Sequence, residues 1–443
     1  MEYTKLSVGY AKVDITPDFS IGLGGYGNDA SRTHEAVLDR IFAICLALTD
    51  NRGQSVLLFS VDLLLVNDEL TEQLRCAVSC ATGVQKECIF LAATHNHSGP
   101  SNGISAQYTQ RFIEWTTKAA QDAMAERTLS TIKLGRSKTE KLNYTRHYVN
   151  ADGSFFGDNF GIRKDPVAGH AGIPDEQIQL ICFEREGKRD VMLVNWQAHA
   201  KMCSTATSEF GKMHHKHLSA DFIGYAREAL ERQTGMDVIY FSGAAGNLNP
   251  DSRIEQEAPP KEPDKVGQIL ADFALAGLEN MQTVSGGDIS CHWETVTVPI
   301  DHSDDHKIEL AKSVWSMWAV DAEACKEHAK EAGFNSAYAA RDVILRFNCE
   351  KSRKLQLGIL KIGEIAFASV PYEMFCENGM YVKEHSRFPM TVIMSCTNGY
   401  HKYIPSERAF NHGCYEVDSR LYPLGTAEQL AQRLVDLLNE KTV

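Results

Sequence analysis

Short, nearly continuous apolar runs recur along the chain, each long enough for a strand and too short for a typical helix. They are "SVLLFSVD" (55–62), "CIFLAATH" (88–95), "VMLVNWQAH" (191–199), "VIYFSG" (238–243), "EIAFASV" (364–370) and "TVIMSC" (391–396). Such runs predict strands covered on both faces. Between them, apolar residues spaced three and four apart predict helices over 69–82, 108–127, 217–234, 263–281, 306–332 and 425–440. The clearest is "TAEQLAQRLVDLLNE". This alternation predicts an α/β layered sandwich with a mostly buried mixed sheet. Two segments interrupt it. Residues 143–177, rich in Gly, Asp and aromatics, read as long functional loops. Residues 302–345, charged and carrying Trp315, Trp318 and Tyr338, read as a helical insertion over the site. No repeat or linker appears, so one domain over residues 1–443 is expected.

Composition narrows the function. Hydrophobic residues make up 43% and charged residues 23%, as in ordinary globular enzymes. A net charge of −13 disfavours nucleic acid and anionic membrane surfaces as partners, leaving a small molecule. No apolar run of about 18 residues occurs, so stable membrane insertion is not expected. The N-terminus lacks a signal-like apolar core, and the twelve cysteines include no CxxC pair. Free, buried thiols in a reducing cytoplasm are the expectation.

Chemistry collects where the predicted strands end. "ATHNHSGP" places His95 and His97 after the second, and "NWQAH" puts His199 at the end of the third. "GAAGNLNPD" follows the fourth, "VPYE" brings Glu373 after the fifth, and "TNGYHKY" follows the sixth. Open α/β sheets bind ligands beyond the carboxyl ends of their strands. Taken singly, His95 and His97 are turn histidines, His199 a core histidine, and Glu373 a helix-start charge. Together, His95, His199 and Glu373 are the nitrogen and oxygen donors that zinc prefers, with a position left for water. No HExxH helix occurs, so this is not a thermolysin-type site. "GAAGN" lacks the Lys-Ser/Thr of a phosphate loop, and its glycines instead allow close backbone approach.

These motifs, with "VGYAKVDITP", "GLGGYG", "VDLLLV", "GNLNP" and the closing "TNGYHKYIPSERAFNHGCYE", resemble the catalytic domain of neutral and alkaline ceramidases. The resemblance spans nearly the whole chain and is to a smaller bacterial relative without the C-terminal immunoglobulin-like domain. It implies a zinc amidase with His95, His199, Glu373 and Tyr403 as metal ligands. Tyr415 would polarise the substrate carbonyl, and Arg146 would stabilise negative charge. Whether His95 or His97 is the ligand stays open, and the other is then a candidate general acid/base. One departure matters: the family serine of a "GDVSP"-like motif is replaced by Asn249. An amide cannot act as that nucleophile, and Ser242 sits too far along the strand to replace it. Metal-activated water is therefore expected to attack directly, with Asn249 donating to the developing oxyanion.

The function expected is hydrolysis of an amide in a small soluble N-acyl substrate. The alternatives are a non-catalytic metal-bearing sensor, or a metal-dependent lyase or isomerase. Asp62 is read as a turn aspartate or as a residue orienting a ligand histidine, and His34 as surface or pocket-lining. The run "KMHHKH" (212–217) is read as a solvated loop.

Overall fold

The computed structural model describes residues 4–26, 32–101, 105–157, 167–205, 208–318 and 320–440. Its larger sheet has nine strands: β1 (Leu6–Asp14), β2 (Phe42–Thr49), β3 (Ser55–Val61), β4 (Ile89–Ala93), β5 (Thr128–Lys138), β6 (Gln177–Arg185), β7 (Val191–Trp196), β8 (Asp237–Ser242) and β9 (Gln282–Val284). Eight run in the order β8-β7-β6-β5-β1-β2-β3-β4, and β9 pairs with β5. The pairs β3/β4 and β7/β8 are parallel and the others antiparallel, so the sheet is mixed. A second sheet is formed by β10 (Ile289–Pro299), β11 (Ser352–Ile362), β12 (Ile365–Ser369) and β13 (Met390–Met394), with β12 and β13 parallel.

Helices cover these sheets. Helices α1 (Asp68–Thr82) and α2 (Ala106–Ala125) pack together beside the β1–β4 half. The first is capped by Asn67, whose side chain accepts from the Leu70 amide at 2.8 Å, and is stopped by Gly83 at φ 75°. Helices α3 (Asp221–Thr234) and α4 (Pro263–Ala276) bury Phe222 and Leu270 in one apolar cluster with Leu180 and Val194. Phe90, Phe367 and Val392 share another cluster, which joins the two sheets.

Residues 306–332 form two helices rather than one continuous helix: α5 (Ile308–Trp318) and α6 (Ala322–Glu331). Together with α7 (Ala337–Phe347) they bury Val314, Cys325, Ala340 and Val343 in a small core of their own. Two further helices, α8 (Cys376–His385) and α9 (Thr426–Asn439), pack on each other, and α9 sends Leu430 and Leu434 into a cluster with Leu355 and Leu357. Residues 143–177 are more ordered than a loop reading suggests: His147–Asn150, Phe155–Gly157 and Val167–His170 make a three-stranded ribbon. Residues 158–166 of that segment lie outside the described residues, as does the last glycine of "GLGGYG".

Among the described residues no helix is long and apolar enough to cross a membrane. All twelve cysteines are free thiols, and eight of them are buried. The outermost strands β4 and β8 meet at their C-terminal ends, where Ser242 Oγ donates to the Thr94 carbonyl at 3.0 Å. The Ser395 amide, just past β13, donates to the Ser242 carbonyl at 3.2 Å. Three strand ends from two sheets thus open on one region.

Candidate metal centre

His95 and His97 lie beyond the end of β4, so the same-face rule for strand residues does not bring them together. Instead His95 takes a left-handed φ of 57°, a state that costs a non-glycine residue roughly 1–2 kcal/mol. Asn96 secures the turn, its side-chain amide donating to the Ser219 carbonyl at 2.6 Å and its oxygen accepting from the Ser98 amide at 2.9 Å. The two rings then lie 5.0 Å apart, and His199, three residues past β7, lies 4.9 Å from His95 and 5.5 Å from His97. The three offer ligand-capable nitrogens within 4.8 Å of one another. Two glycines make room: a Cβ on Gly25 would fall 2.5 Å from His97 Nδ1, and one on Gly246 would fall 2.6 Å from the Glu373 carbonyl.

The tautomers follow from the partners. His95 Nδ1 faces the Leu64 carbonyl at 3.0 Å, and His199 Nδ1 faces those of Ala245 and Leu248 at 2.9 and 3.1 Å. A carbonyl only accepts, so both Nδ1 atoms carry the proton, and in the neutral rings both Nε2 atoms present lone pairs. Those Nε2 atoms lie 3.0 and 3.1 Å from the same oxygen, Oε2 of Glu373. His95 Nε2 is nevertheless out of line for a hydrogen bond, and among the described residues His97 has no hydrogen-bond partner on either ring nitrogen. Two buried lone pairs set against one carboxylate oxygen repel, with Tyr403 and Arg146 approaching His199 Nε2 only at 3.4 Å. A shared cation relieves that repulsion, so the donor set fits a metal ion.

Without an ion, a proton takes the shared cation's place. Burial opposes charge on His95, but Glu373 outweighs it and raises the imidazole well above its ordinary value. Burial and the nearby Arg146 push His199 down to about 4. Burial, with His95 and His199 alongside, holds His97 well below its ordinary value and so neutral. Burial would raise Glu373, yet His95 and His199 keep it well below the usual carboxylate range.

The remaining expected residues surround this cluster. Glu373 and Tyr403 pair in a two-residue parallel bridge, and the Tyr403 hydroxyl reaches His199 Nε2 at 3.4 Å. The ring of Tyr415 meets that of Tyr403 edge-on at 5.9 Å. Arg146, fully buried, directs Nη1 toward His199 Nε2 at 3.4 Å, and its guanidinium lies 5.2 Å from the Tyr403 ring centre. Asn249 follows β8 in a two-residue bridge with Tyr144–Thr145, and both its amide atoms are buried without a partner. Ser242 spends its hydroxyl on the Thr94 carbonyl.

Other side chains stand apart. Asp62 orients no histidine: it grips Arg227 through both oxygens, at 2.9 and 2.6 Å. His34 bonds the Ile21 backbone. Within 212–217 a short helix ends at His214, whose Nδ1 meets that of His217 at 2.7 Å. Tyr400 and Glu416 escaped the sequence reading. Tyr400 donates its hydroxyl to Glu373 Oε1 at 2.6 Å, leaving Oε2 to face the histidines. A second buried group, His147, Cys414 and Glu416, adjoins the first through Arg146.

No protein-family model and no curated protein matches the chain. Its fold is that of solved neutral ceramidases. The crystal structure of neutral ceramidase from Pseudomonas aeruginosa aligns at a TM-score of 0.72 and 16% identity, over 99% of this chain and 74% of that one. A ceramidase complexed with C2 aligns at 0.71 and 16%, over 99% and 77% of the respective chains. The chain therefore has a ceramidase-type fold.

Proposed function

We propose that this chain is a zinc-dependent hydrolase that cleaves an amide bond in a small soluble N-acyl compound. One observation carries the reading: the Nε2 atoms of His95 and His199 converge on a single oxygen of Glu373, with each Nδ1 proton fixed on a backbone carbonyl. His95, His199 and Glu373 would hold the ion, with Tyr403 as fourth ligand, a nitrogen–oxygen set that suits zinc. His95 is preferred to His97 because His95 Nε2 shares the Glu373 oxygen with His199. Bound zinc supplies Lewis acidity, polarising a carbonyl and lowering the pKa of water toward ~7.

The chain's own groups carry the rest. His97, held neutral and without a hydrogen-bond partner among the described residues, takes a proton from the attacking water and passes it to the leaving amine. Water oxygen bonds to the carbonyl carbon, the carbon–nitrogen bond breaks, and the products are a carboxylic acid and an amine. Arg146 and the Tyr415 hydroxyl stabilise the negative charge that develops on the carbonyl oxygen. Asn249, its buried amide without a partner among the described residues, donates to the same oxygen and does not act as a nucleophile. The net charge of −13 supports a soluble substrate over a lipid in an anionic membrane.

The test is to measure the metal content of the purified protein and assay a panel of N-acyl amino acids and N-acyl amino sugars. The assay is repeated after chelation and again after zinc is returned. One zinc per chain, activity that leaves and returns with it, and products heavier than substrate by one water support the reading. Zinc-loaded protein that cleaves no member of the panel, or that yields an isomer, rejects it.

A further inference from the structure

His147, Cys414 and Glu416 are buried and offer ligand-capable atoms within 4.8 Å of one another, the pattern of a second metal site. Bonds already made within the group favour another role. Glu416 Oε1 accepts from Arg146 Nε at 2.5 Å, and Oε2 contacts His147 Nε2 at 3.0 Å. Both carboxylate oxygens are committed, and the adjoining cation is the guanidinium of Arg146. Burial works to raise Glu416, but Arg146 and His147 more than offset it and keep the carboxylate charged.

We infer that Glu416 is a positioning residue for Arg146, aiming its guanidinium at the reaction centre. The inference rests on the amidase reading, in which Arg146 stabilises the oxyanion. The geometry has three parts. The Arg146 backbone amide is fixed on the Asn247 carbonyl at 3.0 Å, Nη2 on the Gly246 carbonyl at 2.9 Å, and Nε on Glu416. Only Nη1 points toward the histidine cluster, 3.4 Å from His199 Nε2. Glu416 is itself fixed by two consecutive residues, Arg146 and His147, so the carboxylate cannot turn without breaking one of these contacts. It also follows Tyr415 directly in the short helix Tyr415–Asp418. One backbone segment thus sets both the guanidinium and the Tyr415 hydroxyl, and a long flexible arginine becomes a fixed donor.

The experiment is a double-mutant cycle on the zinc-loaded full chain with Glu416→Gln, Arg146→Met and the two combined. Zinc content, thermal midpoint, kcat and KM are measured for each. Glu416→Gln is expected to keep one zinc per chain and an unchanged KM while kcat falls about tenfold or more, with Arg146→Met falling about a hundredfold. Because Glu416 acts through Arg146, the double variant should lose no more kcat than Arg146→Met alone. Its thermal midpoint should exceed that of either single variant, since each single change strands a buried charge. Additive losses in kcat and midpoint would overturn the inference. So would a wild-type protein holding two zinc ions of which Glu416→Gln loses one. If the wild type cleaves no amide, the amidase reading fails on its own, and the thermal cycle still decides whether the two side chains act as a pair.

Discussion

Two buried polar groups sit at the ends of neighbouring strands, and their bonding is opposite. At the end of β3, Asp62 is saturated: Oδ1 accepts from Arg227 Nη1 and Thr94 Oγ1, and Oδ2 from Arg227 Nη2 and the Phe42 amide. Just beyond β4, the histidine cluster sets two imidazole Nε2 atoms against one carboxylate oxygen, and His97 has no hydrogen-bond partner among the described residues. Both groups are fully enclosed, so burial and charge alone do not separate them. Bonding does. A group whose acceptors all have donors is complete without a ligand, whereas one whose acceptors face each other is built for a cation that the protein does not itself supply.

The largest expected effect comes from breaking the open group. His199→Ala should lose both zinc and hydrolysis, seen as metal content near zero and kcat/KM reduced about a thousandfold or more, since a catalytic metal contributes several kcal/mol. Stability in the metal-free state should fall by no more than about 1–3 kcal/mol, because the Nδ1 bonds to the Ala245 and Leu248 carbonyls are lost while crowding at Glu373 is relieved; a chelated-protein melt checks this. Breaking the closed group should give the reverse. Arg227→Met strands the Asp62 carboxylate and should lower folding stability by about 3–5 kcal/mol in urea unfolding, while the folded fraction keeps its zinc. If Arg227→Met loses metal at unchanged stability, the division between the two groups is wrong.

The sequence read this division only in part, for a physical reason. The six strands visible as apolar runs are β3, β4, β7, β8, β12 and β13, the members of the three parallel pairs. Parallel strands are covered on both faces and so read as continuous hydrophobicity. The strands not read from the sequence, β1, β2, β5, β6, β10 and β11, pair antiparallel, and some alternate; "ISCHWETVTVP" in β10 keeps several residues partly or fully exposed, whereas "FAICLALT" in β2 is apolar and buried nearly throughout, so this reason does not explain its omission. Because the site lies at the ends of the parallel pairs, the most legible strands led to it. Partnerships across long sequence separations left no trace. Asp62 and Arg227 are 165 residues apart, and nothing in either stretch announces the other. Nor does "TNGYHKY" say which tyrosine bonds Glu373 and which approaches His199; the left-handed φ values of Asn398 (55°) and Lys402 (61°) route the loop and decide it.

Tyr400 sharpens the contrast at smaller cost, because it is the point where the open group is closed on one side. By donating to Glu373 Oε1 it leaves one carboxylate oxygen to the histidines. Tyr400→Phe should weaken zinc binding about 10–100-fold, as loss of a hydrogen bond to a ligand typically does. Competition with a chromogenic chelator reads this directly. The melting midpoint of the metal-free protein should stay close to wild type.

The smallest effect tests whether the closed region is fully satisfied. Asp39 lies near Asp62 and Asp221, and burial together with these two raises its carboxyl to about 6 despite bonds from Ser219 and the Ala220 amide. Its folded value lies above the unfolded value of about 3.9, so the folded state favours the protonated form. The associated stability is fully present below about pH 4 and is lost as pH rises through about 6. At neutral pH the charged carboxylate is therefore a burden on the fold. Asp39→Asn removes the charge and keeps an acceptor for the Ala220 amide, at the cost of the bond that Ser219 donates to the carboxylate. It should raise stability by about 1–2 kcal/mol at pH 7.5 and by nearly nothing at pH 4, measured by urea unfolding at both. Zinc content should not change. A gain that is equal at both pH values would mean that charge is not what strains this corner, and that the structural carboxylates are as well balanced as the Asp62–Arg227 pair suggests.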